Sequence, residues 1–388
     1  MAKDYESNIA KYYWFGILSS PMFVGPIITI FLLSRGLNLA EVMLLQAIYA
    51  VANVIFEIPS GALADTIGRK KVMVLSSIIL TVANTIYAFS HSFAFFALGE
   101  ITFALGMALM SGTSSALIYD TMKKLEREKE YTKVEGQAGS YALMAAVPAT
   151  GIAGFLGAID LALPFYLCAI TAGASLLTTV TMHDPFPRKK VYNIGVHLKQ
   201  MKDGLKEVMT NRYILWFTLF AALIATFGKI GFWFYQPYMN QAGVDIALFG
   251  IIYAVMNLVA AISSKFACSI ERRIGELASL LLMAGVLVAS LFAMGAYVTY
   301  FGFMIFMFQQ FVRGFHFPIL CTYLNRHIRS KERATVLSAS AMFDSLAAAM
   351  FLPIFGWAAD IFSLQTSMIL AGGILLILVV PLFLLRKR

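Results

Sequence analysis

Five ionisable residues interrupt otherwise apolar stretches of this chain: Glu57, Glu100, Lys229, Arg313 and Asp344. A charge at the centre of a lipid-spanning helix costs at least about 2.5–3.5 kcal/mol on insertion scales, so each marks a candidate site. Arg313 is the strongest candidate ligand for a substrate anion, because a guanidinium binds carboxylate or phosphate through two parallel bonds and keeps its proton. The structural alternative is a buried pair between Arg313 and Asp344. Lys229, at mid-depth after Gly228, either contacts a solute or reaches along its stem toward an interface. Removal from water disfavours a charged carboxylate, so Glu100 and Asp344 are candidate proton carriers, against a purely structural hydrogen bond for each. His316 stands one helical turn beyond Arg313, as a proton shuttle or as a satisfied core histidine. Glu57, just before Ile58-Pro59, fits a gating or structural role. Trp233, Tyr235 and Gln310 are candidate substrate contacts, though many aromatics of such a chain belong to lipid-facing or interfacial belts.

These residues need long apolar elements to hold them. Of 388 residues, 60% are hydrophobic and 13% charged, about half the charged fraction of an average soluble domain. A membrane-spanning helix needs about 20 mostly apolar residues. Apolar stretches of that kind run near 12–34, 40–62, 72–90, 93–119, 137–158, 161–182, 213–239, 245–268, 276–297, 299–325, 334–358 and 362–385. Little chain remains for a soluble domain. Cys168, Cys268 and Cys321 lie in apolar stretches without paired spacing, so neither a disulfide framework nor a metal site is expected. The first stretch is long and is followed by Arg35 rather than by a small-residue cleavage site, which predicts a retained helix.

The net charge of +9 suits a nucleic-acid binder only until its placement is considered. With a cytoplasmic N-terminus and one crossing per stretch, every Lys and Arg except Arg35, Lys229 and Arg313 falls on the cytoplasmic side. Glu41, Asp160, Asp245 and Asp360 fall at the opposite ends. This is the positive-inside pattern, and it predicts an even number of crossings with both termini in the cytoplasm.

The longest polar stretch, 183–212, contains Pro185, Pro187 and the basic run Arg188, Lys189 and Lys190. It divides the chain into two six-helix parts, 1–182 and 213–388, joined by a cytoplasmic linker. The parts echo one another at an offset of 204. Ile48-Tyr49-Ala50-Val51-Ala52-Asn53 matches Ile252-Tyr253-Ala254-Val255-Met256-Asn257, and Tyr119 falls opposite Tyr323. Parallel six-helix repeats with a solute site near mid-membrane are a known transporter architecture.

Between the second and third stretches stands Gly61-Ala62-Leu63-Ala64-Asp65-Thr66-Ile67-Gly68-Arg69-Lys70-Lys71. The run resembles the signature loop of the major facilitator superfamily, G-x-L-A-D-x-x-G-R-K, with every defining position filled. With the spans and the repeat, the resemblance covers the whole chain. It implies an all-α polytopic membrane protein of about twelve helices in two pseudo-symmetric six-helix bundles. It implies that Asp65 contacts helix eleven and latches an outward-open state. It also implies that helices one, four, seven and ten line a central cavity, which would bring Glu100, Lys229 and Arg313 to it. Gly61 and Gly68 suit close helix approach or backbone angles closed to other residues. A pairing of Arg69 or Lys70 with Asp120 would tie the latch to helix four; the alternative is that Arg69, Lys70 and Lys71 only set topology. In the second-half copy Ser269 replaces the aspartate. Drug/proton antiporter members usually carry an arginine in helix four, where this chain offers Glu100. Pro148, Gly151, Gly154 and Gly157 loosely match their helix-five pattern.

The resemblance leaves three functional readings. One is proton-coupled export of a small amphipathic or organic solute across the cytoplasmic membrane by alternating access. The second is transport, in either direction, of an organic anion such as a carboxylate metabolite or siderophore. The third is a non-transporting receptor or assembly protein on the same fold, against which the intact signature loop counts. The sequence has no phosphate loop, metal-ligand spacing or nucleophile–base constellation, so no enzyme activity, cofactor or metal is expected. The expected partners are solute, protons and lipid, and the expected state is a monomer.

Overall fold

In lipid a backbone must satisfy its own hydrogen bonds, and apolar runs of this length do so as helices. The computed structural model describes residues 2–185, 194–327 and 333–386; the basic residues Arg188, Lys189, Lys190, Arg329, Lys331, Lys387 and Arg388 lie outside the described residues, as does the side chain of Cys321. The helices are α1 (Ala2–Leu18), α2 (Ile28–Ser34), α3 (Leu39–Ile67), α4 (Arg69–Phe89), α5 (Phe93–Met110), α6 (Thr113–Lys124), α7 (Tyr131–Ile159), α8 (Leu163–Thr181), α9 (Ile194–Thr210), α10 (Arg212–Gln241), α11 (Ile246–Ala296), α12 (Met304–His327), α13 (Arg333–Ile361) and α14 (Leu364–Arg386).

The twelve apolar stretches map onto this series with three differences. The first stretch is two helices, α1 and α2, separated by a turn that contains Pro21 and Pro26. Proline lacks the N–H that would continue the ladder. The fourth stretch is divided into α5 and α6 at Ser111 and Gly112, where Gly112 takes a φ of 69°. The eighth and ninth run on as α11, a 51-residue helix that kinks at Gly275 (φ 80°) where a loop is expected from the sequence. By length and composition nine described elements qualify as membrane spans; the divided first stretch and α12, with its polar Gln309, Gln310, Arg313 and His316, are not among them.

The chain forms two compact units. The first comprises Met1–Phe31 and Val51–His197. Its core includes an aromatic cluster in which Phe165 lies 4.1 Å from Phe31 and stacks on Tyr87 at 5.8 Å between ring centroids. Buried Asn8 of α1 bonds Thr121 of α6 at 3.2 Å and exchanges two bonds with the backbone of His183. Leu143, Met144 and Leu177 are each about 70% exposed, an arrangement that suits contact with lipid.

The second unit comprises Leu32–Ala50 and Leu198–Arg388. Asn211 caps α10 by accepting from the amides of Tyr213 and Ile214, and Asp245 caps α11 by accepting from Ala247. Asp360, near the end of α13, accepts from the amides of Leu39 and Ala40 at 3.0 and 2.7 Å, serving as a cap for α3 supplied by another helix. Trp216 stacks on Phe220 and meets Phe383 edge-on, fixing α10 against α14.

Candidate functional site

Helix α10 buries most of its length, and its Gly228–Phe232 segment faces α12 across a cavity of about 260 Å³ inside the second unit. Lys229, Phe232 and Tyr235 line it from α10, Gln309, Gln310, Arg313 and His316 from α12, and Leu287 from α11. Thus α10 and α12 bring together five of the residues singled out in the sequence: Lys229, Tyr235, Gln310, Arg313 and His316. The spacing explains the set on α12: positions 309, 313 and 316 lie on one helical face, with 310 beside it.

The ion pairing departs from the structural alternative considered for Arg313. Arg313 does not pair with Asp344. Lys229 does, donating from Nζ to Asp344 Oδ2 at 3.0 Å, with the two side chains 43% and 33% exposed. Asp344 Oδ1 is buried without a hydrogen-bond partner among the described residues. Arg313 donates from Nη2 to the neutral Oδ1 of Asn257 at 2.7 Å and has no carboxylate partner among the described residues. The cavity therefore holds one positive charge whose counter-charge is missing locally.

An amide and phenol network supports it. Tyr235 stacks on Phe306 with ring centroids 4.1 Å apart and donates its hydroxyl to Gln309 Oε1 at 2.7 Å. Gln310 Nε2 lies 3.4 Å from the same hydroxyl, and the buried Gln310 Oε1 has no partner among the described residues. A buried amide oxygen without a donor calls for an explanation, and a ligand donor in the cavity supplies one. His316 Nε2 lies 3.2 Å from the carbonyl of Ala221, which can only accept, so in this contact that nitrogen is the donor.

Three expected site residues stand elsewhere. Trp233 is buried outside the cavity lining, and Phe232 takes its place, because one residue along a helix rotates the side chain by about 100°. Glu100 is 4% exposed, accepts from the Tyr87 hydroxyl in the interior of the first unit, and is not among the residues that line this cavity. Glu57 is exposed on α3, and its carbonyl accepts from the Ser60 hydroxyl at 2.8 Å.

Three residues that contact the cavity lining or adjoin it are not marked by charge or motif. Asn257 ends the internal repeat, where it reads as a sign of ancestry only. Gly314 lets α12 meet α11 closely; a Cβ there would stand 2.0 Å from the Ala260 carbonyl oxygen, one turn along from Asn257. Gly231 makes room for Gln309, whose Oε1 would be 2.0 Å from a Cβ at that position. The sequence signal for both glycines is a small residue within two positions of a charge in an apolar run.

In the signature loop, Arg69 Nη1 meets Asp120 Oδ2 at 2.5 Å and also donates to the Ala116 carbonyl, so α4 is tied to α6. Lys70 has no ion-pair partner among the described residues, and neither has half-buried Asp65. Gly61 sits in regular helix, where a Cβ would meet nothing within 4 Å among the described residues. Gly68 has both reasons for a glycine: φ is 96°, and a Cβ would approach Asp184 Oδ2 to 3.1 Å. Gly68→Ala is expected to cost about 1–3 kcal/mol, read as a lowered thermal midpoint of the purified protein. In the second-half copy the polarity differs. Buried Glu271 accepts from Tyr323 at 2.9 Å, the tyrosine related by the repeat to Tyr119.

Comparison with known proteins agrees with this architecture. The sequence model of the Major Facilitator Superfamily matches residues 14–308 and 230–388. The MFS-type transporter YxaM of Bacillus subtilis (strain 168) is 23% identical over 368 residues, covering 91% of this chain and 89% of that protein. The quinolone resistance protein NorA of Staphylococcus aureus (strain MRSA252) is 24% identical over 163 residues, or 42% of this chain and 41% of that one. Among solved structures, the nucleoside transporter NupG superposes with a TM-score of 0.80 at 13% identity, covering 99% of both chains. An inward-facing, unoccupied bacterial homologue of the human lysosomal transporter Spinster gives 0.74 at 15% identity, covering 98% of this chain and 96% of the other. At such identities the two structures share a fold.

Proposed function

We propose a cargo and a coupling for this chain, which belongs to the Major Facilitator Superfamily and is a multi-pass membrane transporter: it exports an amphipathic organic anion across the cytoplasmic membrane in exchange for protons. The observation that carries this reading is Arg313, charged at all working pH, exposed to a largely apolar cavity and matched only by the neutral Asn257. A carboxylate or similar anion supplies the missing charge, Gln310 Oε1 accepts from a donor on the same solute, and Phe232 and Tyr235 cover its apolar body. The parts 1–182 and 213–388, with cytoplasmic termini, are the bodies that rock as one protomer in alternating access. Asp65 and the Arg69–Asp120 pair form the latch at the cytoplasmic end. Export agrees with a relative named for quinolone resistance.

Asp344 carries the proton in this scheme. Its Oδ2 is held by Lys229 and its Oδ1 is unpartnered among the described residues, so a proton at Oδ1 needs no bond to be broken first. Asp344→Asn in proteoliposomes is expected to remove accumulation driven by a pH gradient while solute exchange at equal concentrations persists. The stability cost is moderate, because a partly exposed pair contributes less than a fully buried one. Driven accumulation unchanged in this variant would remove Asp344 from the coupling. The cargo reading is tested by binding of anionic, neutral and cationic solutes of one shape to the purified protein. Equal affinity across the three would count against it.

A further inference from the structure

The first unit holds a second cavity, of about 390 Å³, at a place that no charge or motif in the chain marks out. It lies where both interrupted spans are interrupted: Ser19, Ser20 and Pro21 line it from the break after α1, and Met110 and Ser114 from either side of the break between α5 and α6. Discontinuous helices of this kind border solute and ion sites in transporters. The cavity's one acidic lining residue is Glu135 of α7, and no lysine or arginine lines it. In sequence Glu135 stands just before the apolar part of α7 and passes for a loop residue.

Glu135 is held by two neutral donors from two other helices. The Tyr12 hydroxyl of α1 donates to Oε2 at 2.6 Å, and the Ser115 hydroxyl of α6 donates to Oε1. Such donors orient a carboxylate without cancelling its charge. The first turn of α6, which contributes Ser115, carries the positive end of a helix dipole and suits an anion beside it. Among the described residues no cation pairs with Glu135. The rest of the wall suits an alkylammonium group. Tyr12 and Phe15 present rings, Met107 and Met110 thioethers, and the C-terminal end of α1 the negative end of its dipole.

We propose that this cavity is a recognition site for an organic ammonium group, with Glu135 as its counter-ion. The inference goes beyond the anion reading and rests only on the chain being a transporter of organic solutes. The test is calorimetric titration of the purified full-length protein with 4-phenylbutylamine, 4-phenylbutanol and 4-phenylbutyrate. The amine is expected to bind at least about tenfold more tightly than the alcohol, the scale of a charge-assisted hydrogen bond, and Glu135→Gln is expected to erase that difference. An amine bound no better than the alcohol by the native protein, or a preference that survives Glu135→Gln, overturns the proposal. The butyrate titration reports separately on the anion reading, so the two fail independently. Should Glu135→Gln not fold, carbodiimide labelling of Glu135 in the native protein decides. Labelling slowed by the amine and not by the alcohol supports the site; labelling that responds to pH alone makes Glu135 a proton site and overturns it.

Discussion

Arg313→Ala is expected to weaken binding of an anionic solute by at least about 30-fold, with neutral solutes of the same shape little affected. Truncating one member of a desolvated charge pair costs about 2–5 kcal/mol, and the lower bound sets that factor. Local geometry makes the effect specific. Arg313 is the cavity lining's unmatched cation, since Lys229 is committed to Asp344 at 3.0 Å. Arg313→Lys keeps the charge but loses the planar fork, so it is expected to fall between the native protein and alanine. Asn257→Ala is expected to lower affinity less, because Asn257 orients the guanidinium through one 2.7 Å bond and carries no charge. The measurement is solute titration of each purified variant, with its thermal midpoint as a check on folding. Native-like anion affinity in folded Arg313→Ala would sink the reading.

Gly314→Ala is expected to be the most damaging single methyl addition in α12. The new Cβ would stand 2.0 Å from the Ala260 carbonyl oxygen and 2.9 Å from its Cα, both backbone atoms of α11 that no side-chain rotation can move. Overpacking a well-filled interior costs about 1–3 kcal/mol, and an obstacle made of backbone places this case at the upper end. Relief requires α12 to move away from α11, which separates Arg313 from Asn257. The predicted signature is therefore double: a lowered thermal midpoint and a weakened anion affinity in the protein that still folds. Gly231→Ala meets a side chain instead, Gln309 Oε1, so its expected stability loss is smaller and its effect falls on the Tyr235–Gln309 bond. Two small-residue contacts next to the same cavity thus separate packing from polar organisation.

The intramembrane charges are legible in the sequence, because an ionisable residue in an apolar run is costly enough to need a reason. Their pairing is not. Lys229 and Arg313 are both basic residues on cavity-lining helices, and the sequence reading offers Asp344 only Arg313 as a partner. Only the depth and rotation of α10, α12 and α13 assign it to Lys229 and leave Arg313 with an asparagine. Rotation likewise exchanges Trp233 for Phe232, and it turns Glu100 toward Tyr87 in the first unit. The Arg69–Asp120 pair is one of the two readings that accompany the family resemblance, and the fold brings the two side chains together from α4 and α6.

By itself, the sequence determined that this chain crosses the membrane repeatedly as helices, in two related parts, with the family's signature loop between the second and third spans. Those features follow from hydropathy, charge bias and local backbone demands, all of which act within a few residues. Tertiary structure alone decided which of the intramembrane charges is unmatched, where α1 and α5 end inside their spans, and that Glu135 belongs to a cavity. Each depends on which faces of separate helices meet, and a distance of one residue in sequence is a turn of about 100° in space. The five charges within the apolar stretches thus resolve into one pair, one unmatched arginine, one buried glutamate and one exposed glutamate.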